Sequence, residues 1–154
     1  MIDKETNVLE KRFFNYLADL EIDRATRYQN FVTLFYLEPD LEPDNGATLD
    51  TLAKILKEEF RTTDIIGRIN HVRFGVILLY SDLQRSIVAG ERLRKRIEDY
   101  LFSEKKKRTI SLGGACFPIN VTNSEDLISL AGRMLKLAKN KGGNTLCFPV
   151  KEDS

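Results

Sequence analysis

Arg61 and Asp64 stand three residues apart, and Arg92 follows within Ala89-Gly90-Glu91-Arg92-Leu93-Arg94. A guanidinium offers a planar fork of donors and a carboxylate offers only acceptors, so the set can grip a ligand carrying both anionic oxygens and N–H groups. Lysine would not replace that fork. The spacing is short and it recurs at Arg96-Ile97-Glu98-Asp99, where it reads as an exposed i,i+3 ion pair inside a helix. Arg61 also has a plainer reading, a cation complementing the C-terminal end of a helix dipole. His71 is the only histidine. With no carboxylate or nucleophile close in sequence, it reads as an exposed turn residue rather than a base or a pH switch.

These side chains need a scaffold, and composition bounds it. The 154 residues are 42% hydrophobic and 31% charged, which is material for one domain over 1–154 with a single substantial core. A formal net charge of +1 gives no broad basic field, so neither nucleic acid nor an anionic membrane is an expected partner. The run Lys105-Lys106-Lys107-Arg108 reads as a solvated loop entering a strand. Cys116 and Cys147 lie among apolar residues, as small buried hydrophobes do, and their spacing makes no disulfide framework or zinc site. With no signal peptide and no apolar run long enough for a bilayer, the domain is expected to be cytoplasmic, in a parent protein that membrane segments elsewhere could attach.

Periodicity places the elements. Glu10 to about Gln29 carries Phe13, Phe14, Leu17, Leu20, Ile22 and Ala25 on one side of an amphipathic helix. Phe31 to Leu37 reads as a buried strand, ended by the Pro39 and Pro43 punctuation before Gly46. Leu49, Leu52, Ala53, Leu56 and Phe60 form the core stripe of a second helix from about Thr48. Asp64 to Ile69 and Val72 to Tyr80 read as two strands of a hairpin turning at Asn70-His71. A third helix from Asp82 to about Tyr100, a strand from Thr109 to Phe117, a helix capped at Asn123 or Ser124 and running to about Asn140, and a strand from Asn144 to Val150 complete the chain. This order predicts an α/β (α+β) fold, a mixed sheet of about five strands surrounded by helices, with a central hairpin.

The segment Arg61-Thr62-Thr63-Asp64-Ile65-Ile66-Gly67-Arg68-Ile69-Asn70-His71-Val72-Arg73-Phe74 resembles the signature of GGDEF (diguanylate cyclase) domains. RxxD, the second Arg and the Phe fall at the family spacing, while the Gly-Gly-Asp/Glu-Glu turn reads Asn70-His71-Val72-Arg73. Asp3 to Phe14 is similar to the family's opening DxLTGLxNRRxF, Arg27-Tyr28 through Glu38 to RRY-to-LDxD, Ser111-Leu112-Gly113-Gly114-Ala115 to SIGVA, and Ala138 to Asn144 to the closing AKxxGRN. The resemblance thus covers nearly the whole chain and implies the family's nucleotidyl cyclase-like fold.

The same resemblance implies a degenerate member. Active relatives join two GTP molecules with carboxylate-held metals. It places one metal ligand at Glu38 and others at Val72 and Arg73, where an apolar and a cationic residue stand, so no metal and no catalytic residue is expected and Glu38, without partners, reads as a solvated strand end. Asn70 and His71 put side chains where the glycine pair admits phosphate. The Asp40 to Gly46 loop is too short for the family's guanine-reading residues, and Gly143 replaces an Arg beside Lys139, a family phosphate contact that here reads as a cation suiting the dipole at the end of its helix. What survives is the product-binding pattern of inhibited cyclases, Arg61, Asp64 and Arg92, which can pair with the O6/N7 edge of guanine, with phosphate, and with the guanine N1 and N2 hydrogens. The expectation is therefore an inactive domain, part of a larger multidomain signalling protein, that acts as a cyclic di-GMP receptor without cofactor. Other domains of the parent or a partner subunit would read the signal, and a homodimer is left open. The alternative is a ligand-free scaffold or dimerisation module regulating an attached domain, and residual GTP binding without turnover is a third reading.

Overall fold

The computed structural model describes residues 1–42, 46–100, 102 and 106–150. The elements are β1 (Leu9–Glu10), α1 (Lys11–Tyr28), β2 (Val32–Pro39), α2 (Ala47–Glu59), β3 (Ile65–Arg68), β4 (Phe74–Leu79), α3 (Leu83–Asp99), β5 (Ile110–Phe117), α4 (Ser124–Asn140) and β6 (Leu146–Cys147). They build one mixed sheet in the order β1-β3-β4-β2-β5-β6. β1 with β3 and β5 with β6 pair parallel, and the other neighbours pair antiparallel.

β2 lies between β4 and β5, and all eight of its residues are buried. Its alternation sorts side chains to the two faces. Phe35 and Leu37 join Phe74, Val76 and Leu78 of β4 in the core that takes in α2 and α3, while Leu34 and Tyr36 join Ile77 in the core that takes in α1 and α4. The predicted α2 stripe is buried in full: Leu49, Leu52, Ala53, Leu56 and Phe60. On α1 the core face is instead Phe14, Ala18, Ile22 and Ala25, with Phe13, Leu17 and Leu20 half-buried beside it.

Close approaches fix two helices on the sheet. Gly67 and Gly75 are partners across β3 and β4, and a β-carbon on either would stand 2.6 Å from the ring of the fully buried Phe14. A β-carbon at Gly113 would come within 2.0 Å of the Leu135 backbone nitrogen, so α4 rides directly on β5.

β1 adds a sixth strand, too short at two residues to show any periodicity. The hairpin turn is longer than Asn70-His71, because Arg68 pairs with Phe74 as the last rung and residues 69–73 form the connection. The closing strand is confined to Leu146–Cys147. Both cysteines are free and buried, as expected. In the basic run Lys106 and Lys107 are exposed, but Arg108 is buried rather than solvated. Pro43 and Lys105 lie outside the described residues.

Candidate functional site

Arg61 follows directly on Phe60, the C-terminal cap of α2, and Arg92 projects from the middle of α3. Together with Asp64, Tyr80, Arg85 and Val88 they line one groove of about 450 Å³. Sequence-distant residues of the expected site are thus brought together. The Asp64 side chain is buried, and its four acceptor positions are filled. Oδ2 accepts from the Arg61 backbone N–H at 3.1 Å and from Arg61 Nε at 3.2 Å. Oδ1 accepts from Arg61 Nη2 and from the Leu79 N–H, both at 3.2 Å. Arg61 Nη2 also donates to the Leu79 carbonyl at 2.6 Å. Arg61 is therefore held by the end of β4, and Asp64 cannot accept a further hydrogen without releasing one that it has.

Arg92 donates through Nε to Glu59, the last residue of α2. The same carboxylate accepts from Arg96 Nη1 at 3.0 Å, and Arg96 also pairs with Glu58. This corrects the reading of Arg96 and Asp99 as an i,i+3 pair, since Asp99 is matched with Lys95 instead. Burial pushes the Glu59 carboxyl up, but hydrogen bonds from Arg92 and Arg96 outweigh it and hold its pKa below the ordinary value.

At the other end of β4 lies the signature turn. One strand of six residues separates the two regions, about 17 Å along the chain. The Asn70 carboxamide oxygen accepts from the Val72 N–H at 2.9 Å and the Arg73 N–H at 2.8 Å, closing the turn as an Asx motif. Arg68 straps it down, donating to the carbonyls of Asn70 and His71 at 3.2 and 2.9 Å and pairing with Asp3 and Glu5. His71 is exposed, as its sequence context implied. Phe74 is fully buried.

Glu38 is not a solvated strand end. Only 7% exposed, it accepts from Arg73 Nε on Oε2 at 2.7 Å and from the Lys139 ammonium on Oε1. Burial pushes its carboxyl up, yet the bonds from Lys139 and Arg73 bring its pKa below the ordinary carboxylate value. The Arg73 guanidinium also stands 5.3 Å over the Tyr36 ring, whose phenol burial pushes up to about 12. Lys139 is thus bound to β2 rather than serving only the dipole of α4. Tested against a divalent ion, the residues do not fit: each oxygen of the one carboxylate is taken by a protein cation, and Val72 and Arg73 supply no second acid. Among the described residues no three His, Cys, Asp or Glu side chains gather as ligands.

Asp40, next but one to Glu38, accepts from the Thr109 and Ser111 hydroxyls and from the Asn144 N–H at 2.8 Å. Gly143 sits at φ +79 with the Asp40 carboxylate 2.7 Å from where a β-carbon would be, so the family's Arg has no room there.

The family description "Diguanylate cyclase, GGDEF domain" matches residues 46–145. The chain belongs to the GGDEF domain family. The uncharacterized protein YhcK of Bacillus subtilis (strain 168) is 34% identical over 114 residues, which is 71% of this chain and 32% of YhcK. The FimX GGDEF domain of Pseudomonas aeruginosa superposes with a TM-score of 0.87 at 23% identity, covering 96% of this chain and 98% of that one. The GGDEF domain of DgcB from Caulobacter crescentus, crystallised in complex with c-di-GMP, gives 0.87 at 15% identity, covering 96% and 92%. The chain spans about a third of the length of the curated relatives it matches. Among the described residues of this GGDEF domain no helix is long and apolar enough to cross a membrane.

Three residues of the groove escaped the sequence reading. Neither Glu59 nor Arg85 belongs to any motif the sequence offered. Tyr80 follows β4 directly in the left-handed region at φ 56, a conformation that costs an L-residue roughly 1–2 kcal/mol. Nothing in the local sequence announces it, since neither glycine nor asparagine marks the position.

Proposed function

We propose that this GGDEF domain is catalytically silent and binds cyclic di-GMP in the groove lined by Arg61 and Arg92. The observation that carries the proposal is the convergence of these two guanidinium groups, 31 residues apart in sequence, on one cavity large enough for nucleotide bases. The Arg61 side chain is 57% exposed, and its Nη1 edge makes no hydrogen bond among the described residues, so it can reach phosphate or the acceptor edge of guanine. Asp64 acts as a positioning residue that sets the plane of the Arg61 fork. The DgcB domain, which shares the fold, was crystallised with the same dinucleotide.

Silence follows from Glu38. Phosphoryl transfer needs metal charge to neutralise the developing negative charge, and here an arginine and a lysine occupy the only acid of the set. Arg73 and Lys139 are part of the fold, and a metal on Glu38 would have to displace both, stranding two partly buried cations without their counter-charge.

Incubating the domain with GTP and magnesium or manganese should yield no cyclic dinucleotide, while the same preparation should bind cyclic di-GMP saturably. Turnover that follows protein concentration and vanishes in Glu38→Ala would overturn the first half. A second reading, a ligand-free scaffold that regulates an attached domain or a partner, draws support from the internal pairing of both arginines with Asp64 and Glu59. It predicts no saturation.

A further inference from the structure

Tyr80 and Arg85 line the same groove as Arg61 and Arg92, yet neither belongs to the RxxD pattern. Tyr80 is left 63% exposed, beside Val88 at 62%. Its backbone is pinned on the side that leaves β4. The Tyr80 N–H donates to the Phe31 carbonyl at 3.0 Å, and Leu79 before it is clamped by Asp64 on its N–H and by Arg61 on its carbonyl. The pair that orients Arg61 therefore also fixes where the Tyr80 ring stands. A bulky residue persists at positive φ only where its surroundings over-determine it, and such positions cluster at ligand-binding sites.

Arg85 differs from the other guanidinium groups of the groove. Arg61 is engaged by Asp64 and Leu79, and Arg92 by Glu59. Among the described residues the exposed Arg85 side chain has no ion-pair or hydrogen-bond partner; only its backbone N–H is used, by the Asp82 cap. An aromatic ring, an aliphatic wall and an uncommitted guanidinium in one groove suit a purine nucleotide, whose base has a π-face and whose phosphate takes a fork of donors.

We propose that the Tyr80 ring is a stacking platform for a purine base of the bound ligand, and that the Arg85 guanidinium takes its phosphate. The proposal rests on the reading of the groove as a cyclic di-GMP site, and the test separates the two. The chain has no tryptophan, so Tyr80→Trp introduces the sole indole. Titration of that variant with cyclic di-GMP should quench its fluorescence saturably. By calorimetry Tyr80→Ala, which keeps a β-carbon at the same φ, should bind about five-fold to 150-fold more weakly, whereas Tyr80→Phe keeps wild-type affinity. Arg85→Ala should weaken binding by roughly ten-fold or more. Urea midpoints equal to wild type would confirm that the variants fold. Wild-type affinity in Tyr80→Ala with no quench in Tyr80→Trp overturns the stacking role, and wild-type affinity in Arg85→Ala overturns the phosphate role. In both cases a loss in Arg61→Ala would leave the groove standing as the site. Absence of binding by the wild-type domain overturns both the proposal and the reading beneath it.

Discussion

Asp64 receives the Arg61 guanidinium in two parallel bonds, Nε to Oδ2 and Nη2 to Oδ1, each 3.2 Å long. The carboxylate is buried and the guanidinium largely exposed, so the two residues differ in what they contribute. One is part of the fold and the other faces the groove.

Asp64→Ala should therefore destabilise the domain, because it strips acceptors from the Arg61 and Leu79 N–H groups as well as from the fork. A loss of about 1–3 kcal/mol is expected from the unsatisfied donors. Arg61→Ala should cost far less, within the range of exposed ion pairs, up to about 1 kcal/mol. Urea unfolding of the two variants checks the contrast, and equal losses would show that Asp64 has no special structural part.

Glu38 sets a pH dependence. Its folded pKa lies below the ordinary carboxylate value, so the stability it supplies is complete above the unfolded-chain pKa, about 4.3, and is lost as pH falls through the folded value. Glu38→Gln should be destabilised near neutrality, where Arg73 and Lys139 lose their counter-charge. The gap from wild type should then narrow steadily as the pH drops below that of an ordinary glutamate. Urea midpoints taken between pH 7 and pH 3 decide it, and a gap that widens toward acid contradicts the pairing.

Glu59 competes with any anionic ligand for Arg92. Glu59→Gln should tighten cyclic di-GMP binding, and Arg96→Ala should weaken it a few-fold by leaving Glu59 wholly to Arg92, with effects on the scale of one charge-assisted bond, about 1.5–3 kcal/mol at most. Calorimetry on both variants should give opposite signs. Arg96 thus acts on Arg92 through the carboxylate that the two share.

Leu135 is 1% exposed on the face of α4 that lies on β5. Leu135→Ala should cost roughly 2–5 kcal/mol by leaving a cavity in a helix-to-sheet contact that Gly113 already makes too close to relax. A loss under half of the lower figure in urea unfolding would place this side chain elsewhere.

What was legible in the chain was what repeats or recurs at fixed spacing. Leu49, Leu52, Ala53, Leu56 and Phe60 announced their buried face by period, while Arg61 and Asp64 were picked out by their register to the signature turn and Arg92 by its place on the following helix, and the three line one groove. Short or long-range features stayed hidden. Leu9–Glu10 is too brief to carry a period, and the fate of Glu38 depends on Arg73, 35 residues on, and Lys139, 101 residues on. Local context made Glu38 a solvated strand end, and only packing reveals that two cations meet there. Tyr80 was hidden for another reason: its positive φ goes with hydrogen bonds that long-range partners make to Leu79 and to its own N–H, not with its own type.

Calorimetric titration of the purified domain with cyclic di-GMP, repeated on Arg61→Ala and Arg92→Ala, tests the central claim most directly. The account predicts saturable binding by the wild-type domain and a loss of about ten-fold to more than a hundred-fold in each variant, the scale of one charge-assisted fork. No heat of binding at tens of micromolar ligand, or binding that neither substitution weakens, would contradict it.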